Sequence, residues 1–410
     1  MALKKIVIIG TLDTKSEAIF LVKQQIEARG CQGLILDISV GSKPKASPDI
    51  TAEEIARLGG GHIDHIWGNP DRRKINKIVT DGAIKKLNAL YGVGNLDGVI
   101  SIGGAGGTLM GTNIMKSLPF GVPKFMVSAN AGLRGFASRS FGHSDITMMH
   151  TVVDIIGMND ALSILMKQAA GAICAMVETD HHMGSGIEDK PRVAVCELMI
   201  SAATMNRLKT MLEERGYRTV NFMATGVSDT AMEEFIERGL FDAVIDLSPG
   251  NIMDGLIEGG TLMASPTRFE AAGKKGIPQV IGPAGLECIT PRRSAYIPEY
   301  KTRKSYSPDK LRVLLRSNAQ ELTRAARILA GKLNKSRGPV RFLIPSKGWS
   351  SLHGPGRPLD DPEADQAFVN VLKQELKPEI EVKEINAWME DPIFTTAICD
   401  ALDEMMHNKE

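Results

Sequence analysis

The stretch DGVISIGGAGGTLM, residues 97–110, carries the pattern that decides the fold. A short apolar run leads into a turn with four glycines, and helix-forming residues follow. This order is typical of a buried parallel strand that passes through a tight turn into a helix. Glycines at such a turn either let backbone N–H groups approach a phosphate closely or serve only close packing of the strand and the helix. The candidate phosphate-binding residues of this turn are Gly103, Gly104, Gly106, Gly107 and Thr108.

The same alternation of short apolar runs and amphipathic stretches continues along the chain, and it predicts parallel, doubly wound sheets. Among the helices that it predicts is a long one over residues 308–333. The predicted strands are 4–10, 33–38, 98–102, 122–127, 146–156, 192–199, 219–223, 243–247, 279–282 and 340–344.

Motifs of the first half return in the same order in the second half. GGTLM, for example, stands at residues 106–110 and again at residues 259–263. We therefore predict an α/β protein with two Rossmann-like parallel-sheet domains and a ligand cleft between them. The domains are expected at residues 1–178 and 191–410, with a polar linker at residues 179–190.

Composition excludes several classes of function. The 410 residues include 49 Lys and Arg against 48 Asp and Glu, so the net charge is +1, which is not the basic field of a nucleic-acid binder. The five cysteines are widely spaced without a CxxC motif, which argues against a disulfide framework and for a reducing compartment. No apolar run approaches the roughly 20 residues that span a bilayer, and the N-terminal run at residues 6–9 is too short for a signal peptide. We predict a cytoplasmic protein without a nucleic-acid or membrane partner.

A second polar turn, GTLDTK, follows the first predicted strand. Lys15 would lie in the first turn of a helix, where the helix dipole disfavours a cation unless an anion is bound nearby. Asp37 ends the second predicted strand, where an acid in dinucleotide folds binds ribose hydroxyls. The alternatives are a solvated lysine, a capping box of Thr14 with Glu17, and an ordinary turn aspartate. The candidate ligand residues here are Gly10, Thr11, Asp13, Thr14, Lys15 and Asp37.

Asp145 is the candidate metal ligand. It precedes the strand predicted at residues 146–156, where it would hold Mg²⁺ through water beside a triphosphate or act as a turn residue. Arg134 and Arg139 in the preceding loop are candidate partners of phosphates or carboxylates. The paired His181 and His182 lack the spaced partners of a metal site.

The second half offers small polar residues at predicted strand ends and one basic loop. The loop at residues 283–307 is long enough to cover a pocket, and its arginines would contact an anion. The polar residues are equally suited to helix N-caps. The candidate substrate-binding residues are Ser201, Thr204, Asn206, Ser248, Arg292 and Arg293.

Several motifs together resemble one family. The chain is similar, over nearly its whole length, to the two-domain nucleotide-binding region of the tomato mosaic virus resistance protein and its bacterial relatives of unassigned role. This resemblance implies two Rossmann-like domains, ATP bound by the first half, and a tendency to dimerise. The motifs are GTLDTK from Gly10, GGAGGT from Gly103, GVPKFMVSA from Gly121, GHSDITMM from Gly142, ATGVSDTAMEEFIERGLFDAVIDL from Ala224, EAAGKKGIPQV from Glu270 and DPEADQAF from Asp361.

The leading hypothesis is an ATP-binding protein that uses Mg²⁺, with a second domain that closes over a small polar ligand. One alternative is an enzyme that acts on a small anionic metabolite, such as a sugar acid or keto acid, at the cleft. Another is a non-catalytic module that binds a protein partner when loaded with ATP. A homodimer is expected, because the helix around residues 169–177 is apolar on nearly every side and must be covered by its own domain or by a second subunit. The pattern leaves open whether the protein catalyses a reaction.

Overall fold

A computed structural model describes residues 3–133, 135–179, 190–310 and 312–407. The chain divides into two units, Met1–Ile187 and Glu188–Glu410, called here the first and second domains. The division falls inside the stretch for which a linker is predicted.

The first domain is built on a parallel sheet with the strand order β2-β1-β3-β4-β5. The chain passes from β1 to β2 on one side and later places β3 on the other side of β1, so the topological switch point lies between β1 and β3. Strand β5 is shorter than the predicted strand 146–156, because extended pairing stops after His150. The strands are β1 (Lys5–Gly10), β2 (Gln32–Asp37), β3 (Gly98–Gly103), β4 (Lys124–Ser128) and β5 (Thr147–His150).

Helices cover both faces of this sheet, which explains why its central strands read as continuous apolar runs. In β1, Ile6 and Ile8 belong to the core on one face, with side chains of α1 and α6. Val7 and Ile9 belong to the core on the other face, with side chains of α2, α3 and α4. The helices are α1 (Leu12–Glu27), α2 (Ala52–Leu58), α3 (Arg72–Gly92), α4 (Ala105–Met115), α5 (Phe136–Phe141) and α6 (Asp160–Glu178).

Helix α6 is the apolar helix on which the expectation of a homodimer rests. By length and composition alone, it is the one helix in the described ranges that could cross a membrane. Its inner face packs with α1 in the core of the first domain, so its own domain covers much of its apolar surface. The homodimer stays a prediction, and α6 is not an argument for it.

The second domain repeats the plan. Its main sheet has the order β7-β6-β8-β9-β13-β14, in which the first five strands match the order of the first domain. The last strand, β14, is absent from the prediction because its sequence, EVKEI, alternates charged and apolar residues at a largely exposed sheet edge. The strands are β6 (Arg192–Glu197), β7 (Arg218–Met223), β8 (Ala243–Asp246), β9 (Gln279–Ile281), β13 (Val340–Pro345) and β14 (Glu381–Ile385).

A small antiparallel sheet, which the sequence did not indicate, stands beside the main sheet in the order β10-β12-β11. Its strands are β10 (Cys288–Ile289), β11 (Ser305–Tyr306) and β12 (Leu314–Arg316). The predicted helix over residues 308–333 is therefore wrong in its first part. The helix begins at Ala319, where Asn318 and Glu321 form a capping box.

The helices of the second domain follow its strands as in the first domain. They are α7 (Ala202–Glu214), α8 (Ser228–Glu237), α9 (Asn251–Asp254), α10 (Ala271–Lys275), α11 (Ala319–Leu333), α12 (Pro362–Glu375) and α13 (Pro392–His407).

Candidate functional site

The two polar turns of the first domain meet at its switch point. Gly10, the last residue of β1, is paired in register with Ile102 near the end of β3. The turn after β1 and the glycine turn after β3 therefore leave the sheet side by side. In open α/β sheets, this is where ligands bind.

The N-terminus of α4 faces this point without a capping side chain. Gly104 is its N-cap residue and makes no side-chain hydrogen bond, and the first turn holds no acidic residue. Within the described ranges, no acceptor is recorded for the backbone N–H groups of Ala105, Gly106 and Gly107. Such unpaired donors and the positive end of the helix dipole together attract an anion.

The glycines of this turn differ in the space that a side chain would have. A Cβ on Gly103 would lie 2.7 Å from the backbone carbon of Gly107, so packing against its own helix explains Gly103. A Cβ on Gly106 would meet nothing within 4 Å, and the residue is exposed. Nothing in the folded chain excludes a side chain at Gly106, although an alanine there would favour the helix. Packing within the chain therefore does not account for the glycine at this position.

Thr108 serves the fold rather than the open surface. Its side chain is fully buried, and its hydroxyl lies 2.8 Å from Ser128 Oγ, which ties the glycine turn to β4. Ser128 Oγ also accepts a hydrogen bond from the backbone N–H of Asn130. The Asn130 side chain stands beside Gly104, where a Cβ would lie 3.8 Å from its Oδ1. Asn130 is thus a polar neighbour of the turn that sequence reasoning missed.

The N-terminus of α1, in contrast, is already occupied. Asp37 Oδ1 accepts from the backbone N–H of Leu12 at 3.1 Å, and Ser39 Oγ accepts from that of Asp13 at 3.1 Å. Asp13 in turn accepts from the backbone N–H of Gly41. Protein side chains therefore take the donors that a phosphate would need at this helix.

Lys15 does not sit in a regular first helical turn. Its backbone is non-helical, with φ −129° and ψ 17°, and it marks a kink in α1. Its ammonium donates to the carbonyl oxygen of Ile155 at 2.5 Å. Thr14 pairs by its hydroxyl with Thr11, at 2.8 Å, which is not the capping box with Glu17 that the spacing suggested. A small polar cavity of about 120 Å³ lies here, lined by Asp13, Thr14, Lys15, Ser16, Glu17, Ala18, Ile155 and Gly157.

Asp37 is closed off in this conformation. The residue is fully buried, and its Oδ1 also accepts from the backbone and hydroxyl of Ser39. Burial raises the pKa of Asp37, the hydrogen bonds from Ser39 and Leu12 oppose this rise, and the charge of Asp13 adds to it. Contact with a ribose stays a prediction, and it would require the turn after β2 to open.

Asp37→Asn should leave the protein at least as stable at neutral pH. An acid with a raised pKa in the folded state costs stability once the pH exceeds its ordinary value of 3.8, and this cost grows until the pH passes the raised pKa. The amide oxygen of asparagine still accepts from Leu12 but never carries the buried charge. The unfolding free energy of the variant minus that of the wild type, measured in urea, should therefore rise from about pH 4 toward neutrality.

Asp37→Ala is the matched comparison. It leaves the donors of Leu12 and Ser39 without their acceptor, so it should lower the unfolding free energy by about 1–2 kcal/mol. If the asparagine and alanine variants lose stability equally, burial of the Asp37 charge does not lower the unfolding free energy as argued here.

The surroundings of Asp145 do not support the predicted magnesium role. Asp145 Oδ1 accepts from the fully buried Lys124 ammonium at 2.8 Å, and Oδ2 accepts from the backbone N–H of Gly121 at 2.8 Å. Both oxygens thus have protein donors, one of them a cation, which is unfavourable for binding a divalent metal. Sequence reasoning missed Lys124 as the partner of Asp145, and a buried ammonium of this kind requires a negative partner. Across the described ranges, no group of three or more His, Cys, Asp or Glu side chains is arranged to hold a metal ion.

The structure places the small polar residues of the second domain in structural roles. Ser201 is the N-cap of α7, with its hydroxyl accepting from the Thr204 backbone, and the two hydroxyls also bond to each other. Ser248 is buried and bonds by its hydroxyl to the backbone of Leu198. Asn206 lies on the exposed side of α7. A substrate contact by these residues stays a prediction.

Arg292 and Arg293 lie where an anion could meet them. Both line a cavity of about 380 Å³ at the carboxyl ends of the strands of the second domain, together with Arg312. Arg312 lies in the connection between β11 and β12 of the small antiparallel sheet, which the sequence pattern did not indicate. Arg134, His181, His182 and the side chain of Arg139 lie outside the described residues.

A buried ionic cluster in the second domain also escaped sequence reasoning. Arg268 is fully buried, with Nη1 2.5 Å from Asp246 Oδ2 and Nε 2.9 Å from Asp229 Oδ2, the second an ion pair without hydrogen-bond alignment. Glu233 accepts from the backbone N–H groups of Phe269 and Ala271. The cluster holds α8, β8 and the 265–271 segment together, so the motif from Ala224 is explained at least partly by folding. No spacing signal links Arg268 to acids 22 to 39 residues away.

Comparisons with known proteins agree with the resemblance noted above. The N-terminal and C-terminal domain models of the uncharacterised protein family UPF0261 match residues 4–182 and 190–406. A UPF0261 protein of Clostridium tetani is 33% identical over 98% of this chain and 99% of its own length. The ToMV resistance protein Tm-1(GCR237) of Solanum lycopersicum is 31% identical over 76% of this chain, which spans only 42% of that plant protein.

Among solved structures, the Methanocaldococcus jannaschii UDP-GlcNAc 2-epimerase in complex with UDP-GlcNAc and UDP is 11% identical, covering 91% of this chain and 100% of that one. Its TM-score of 0.21 is too low for an argument about ligand or reaction. The family models and the full-length relative decide the assignment, and the chain belongs to the uncharacterised protein family UPF0261.

Proposed function

We propose that the first domain binds ATP, with the phosphates on the N-terminus of α4. The observation that carries the proposal is the uncapped first turn of α4, at the switch point, with an exposed glycine that no packing contact demands. Two or three backbone N–H groups pointing at one oxyanion form the usual phosphate cradle of α/β proteins.

The turn after β1 contributes differently from what the sequence suggested. Because Asp37 and Ser39 occupy the N-terminus of α1, the phosphates belong to α4 rather than to α1. Lys15 is then the positive side chain of the neighbouring turn. Its ammonium has three donors, and its bond to the Ile155 carbonyl oxygen uses one of them, which leaves donors for a phosphate.

ATP is the nucleotide that the family resemblance implies. Mg²⁺ would accompany it on the phosphate oxygens, since such ions keep several waters and need few protein carboxylates. We assign no side chain to the metal, because Asp145 is engaged by Lys124. A cytoplasmic location and a homodimer belong to the same proposal.

Calorimetry on the full chain tests the proposal. ATP with Mg²⁺ should bind one to one, and at about 100 times its dissociation constant it should raise the unfolding free energy by about 2.7 kcal/mol. Inorganic tripolyphosphate should also bind, more weakly, whereas adenosine should not, because the anchor is the phosphate site. Absence of heat and of any thermal shift at millimolar ATP would contradict the proposal.

A further inference from the structure

The second domain contains a cavity of about 380 Å³ at the carboxyl ends of β6 and β7. This cavity is called here the arginine pocket, and it is lined among others by Leu198, Leu262, Thr290, Arg292, Arg293 and Arg312. Leu198 directly follows the end of β6, and the equivalent position in an open α/β sheet is where ligands enter. A volume of this size is at the small end of the range for small-molecule sites.

A narrower inner chamber of about 90 Å³ adjoins the arginine pocket. The two share Leu198, Leu262, Thr290 and Arg312, so one ligand can extend from one into the other. The wall of the inner chamber is mostly apolar, and its apolar residues include Met199 and Leu314. The polar atoms that remain therefore set the orientation of a ligand.

Three arginines form the positive rim of the arginine pocket. Arg292 is exposed, and no partner for its guanidinium is recorded among the described residues. Arg293 donates to the carbonyl oxygen of Lys310 at 3.2 Å, and Arg312 pairs with Asp309 at 2.7 Å. Arg293 and Arg312 thus have protein partners, but such pairs contribute little stability at a solvent-exposed rim, so both arginines can exchange these partners for a ligand.

The wall beneath this rim is fixed by a buried acid. Asp254 is 3% exposed and accepts from the backbone N–H groups of Thr261 at 2.9 Å, Leu262 at 2.7 Å and Thr290 at 2.7 Å. It also accepts from the Thr290 hydroxyl. These four hydrogen bonds hold Asp254 in place, so Asp254 shapes the wall of the cavity. A wall held in this way is preorganised, which favours ligand binding.

Two buried polar atoms along the cavity lack a partner among the described residues. Asn251 is 1% exposed, and its Nδ2 donates to Asp229 Oδ2 at 2.6 Å, which leaves its Oδ1 without a donor beside the inner chamber. The Tyr296 hydroxyl, which lines the arginine pocket, is also buried and unpartnered. Unpaired buried polar atoms are costly, and a ligand or water removes that cost.

We propose that the second domain carries a ligand site of its own for a small organic acid with an apolar body and a hydroxyl or amino group. The acid group lies on the arginine rim, the apolar body lies along Leu198 and Leu262, and the donor group bonds to Asn251 Oδ1. This site goes beyond the proposed function, because it needs no nucleotide and no residue of the first domain.

The test uses two fluorescent probes on the full chain. 8-Anilinonaphthalene-1-sulfonate is an apolar anion, and N-phenyl-1-naphthylamine is the same body without the charge. We expect Arg292→Ala combined with Arg312→Ala to weaken the anionic probe at least about tenfold, since charge-assisted contacts are lost, and to change the neutral probe less than about twofold. Arg238→Ala, at the exposed far end of α8, is the matched control and should change neither.

Retained binding of the neutral probe shows that the double variant is folded. No binding of the anionic probe to the wild type, or unchanged binding in the double variant, would overturn the proposal. If the double variant loses affinity for both probes equally, the arginines do not select for an anion, and this result would also overturn the proposal. The donor group is tested by displacement of the anionic probe, in which 6-hydroxyhexanoate should compete several-fold better than hexanoate. Equal competition would remove Asn251 from the site.

The outcome is independent of ATP binding. ATP should not displace the anionic probe from the second domain, and a wild type that fails to bind ATP should still bind the probe. Displacement by ATP would mean that the arginine pocket is the nucleotide site, which contradicts both proposals.

Discussion

Gly106→Ala should weaken ATP binding on the order of tenfold while making the folded protein more stable. The added Cβ meets no protein atom within 4 Å, and it points toward the N-terminal end of α4, where the phosphate would lie. Displacing a phosphate from charge-assisted backbone contacts costs enough to give a tenfold loss. The same change removes a glycine from a helix, which should add about 0.5–1 kcal/mol to the unfolding free energy. Calorimetry with ATP and urea unfolding measure the two effects separately.

Gly331→Ala is the matched control. Gly331 lies near the end of α11 in the second domain and is exposed, and a Cβ added there would also meet nothing within 4 Å. This variant should gain similar stability and keep its ATP affinity. Gly106→Val, with two further methyl groups, should weaken ATP more than alanine does. If Gly106→Ala binds ATP as the wild type does, the phosphates do not lie on this turn.

Arg268→Met should cause the largest loss of stability, about 3–5 kcal/mol, because it leaves Asp229, Asp246 and Glu233 buried without their cation. Burial already raises the pKa of Asp246 and of Glu233, and Arg268 acts against this rise. Without Arg268, protonation relieves the buried charge, so the loss of stability should shrink as the pH falls from 7 to about 5. Urea unfolding across this range measures both effects.

Arg341→Met provides the control in the same domain. Arg341 pairs with Glu381 at 3.0 Å and Glu404 at 2.5 Å near the surface, where such pairs contribute about 0–1 kcal/mol. If Arg268→Met fails to fold, adding Asp229→Asn and Asp246→Asn should restore folding by removing the unpaired charges. Equal effects of the Arg268 and Arg341 changes would show that the buried cluster is not the stabilising feature described here.

The sequence predicted the central strands of the parallel sheets well because these strands are buried on both faces and therefore apolar over most of their length, as in β1 and β3. It failed where burial is partial or the elements are very short. In the edge strand β14, exposed charged residues alternate with apolar ones, so the strand has no apolar run to detect. Strand β12 has only three residues, and periodicity cannot separate so short a strand from the helix that follows it.

The candidate site was predicted in outline but not in its division of roles. The glycine pattern placed both turns at one edge of the sheet, and the pairing of Gly10 with Ile102 brings them together. Only the folded structure shows that Asp37 closes the N-terminus of α1 while the N-terminus of α4 stays open. Long-range pairs such as Lys124 with Asp145 have no signature in local spacing, so their residues could not be separated from ligands.

The most direct test of the central proposal is a crystal structure of the full chain with a non-hydrolysable ATP analogue and Mg²⁺. We expect phosphate oxygens within about 2.7–3.2 Å of the backbone nitrogens of Gly106 and Gly107, at the N-terminus of α4. A triphosphate bound elsewhere, whether at the N-terminus of α1 or on the arginines of the second domain, would contradict the account.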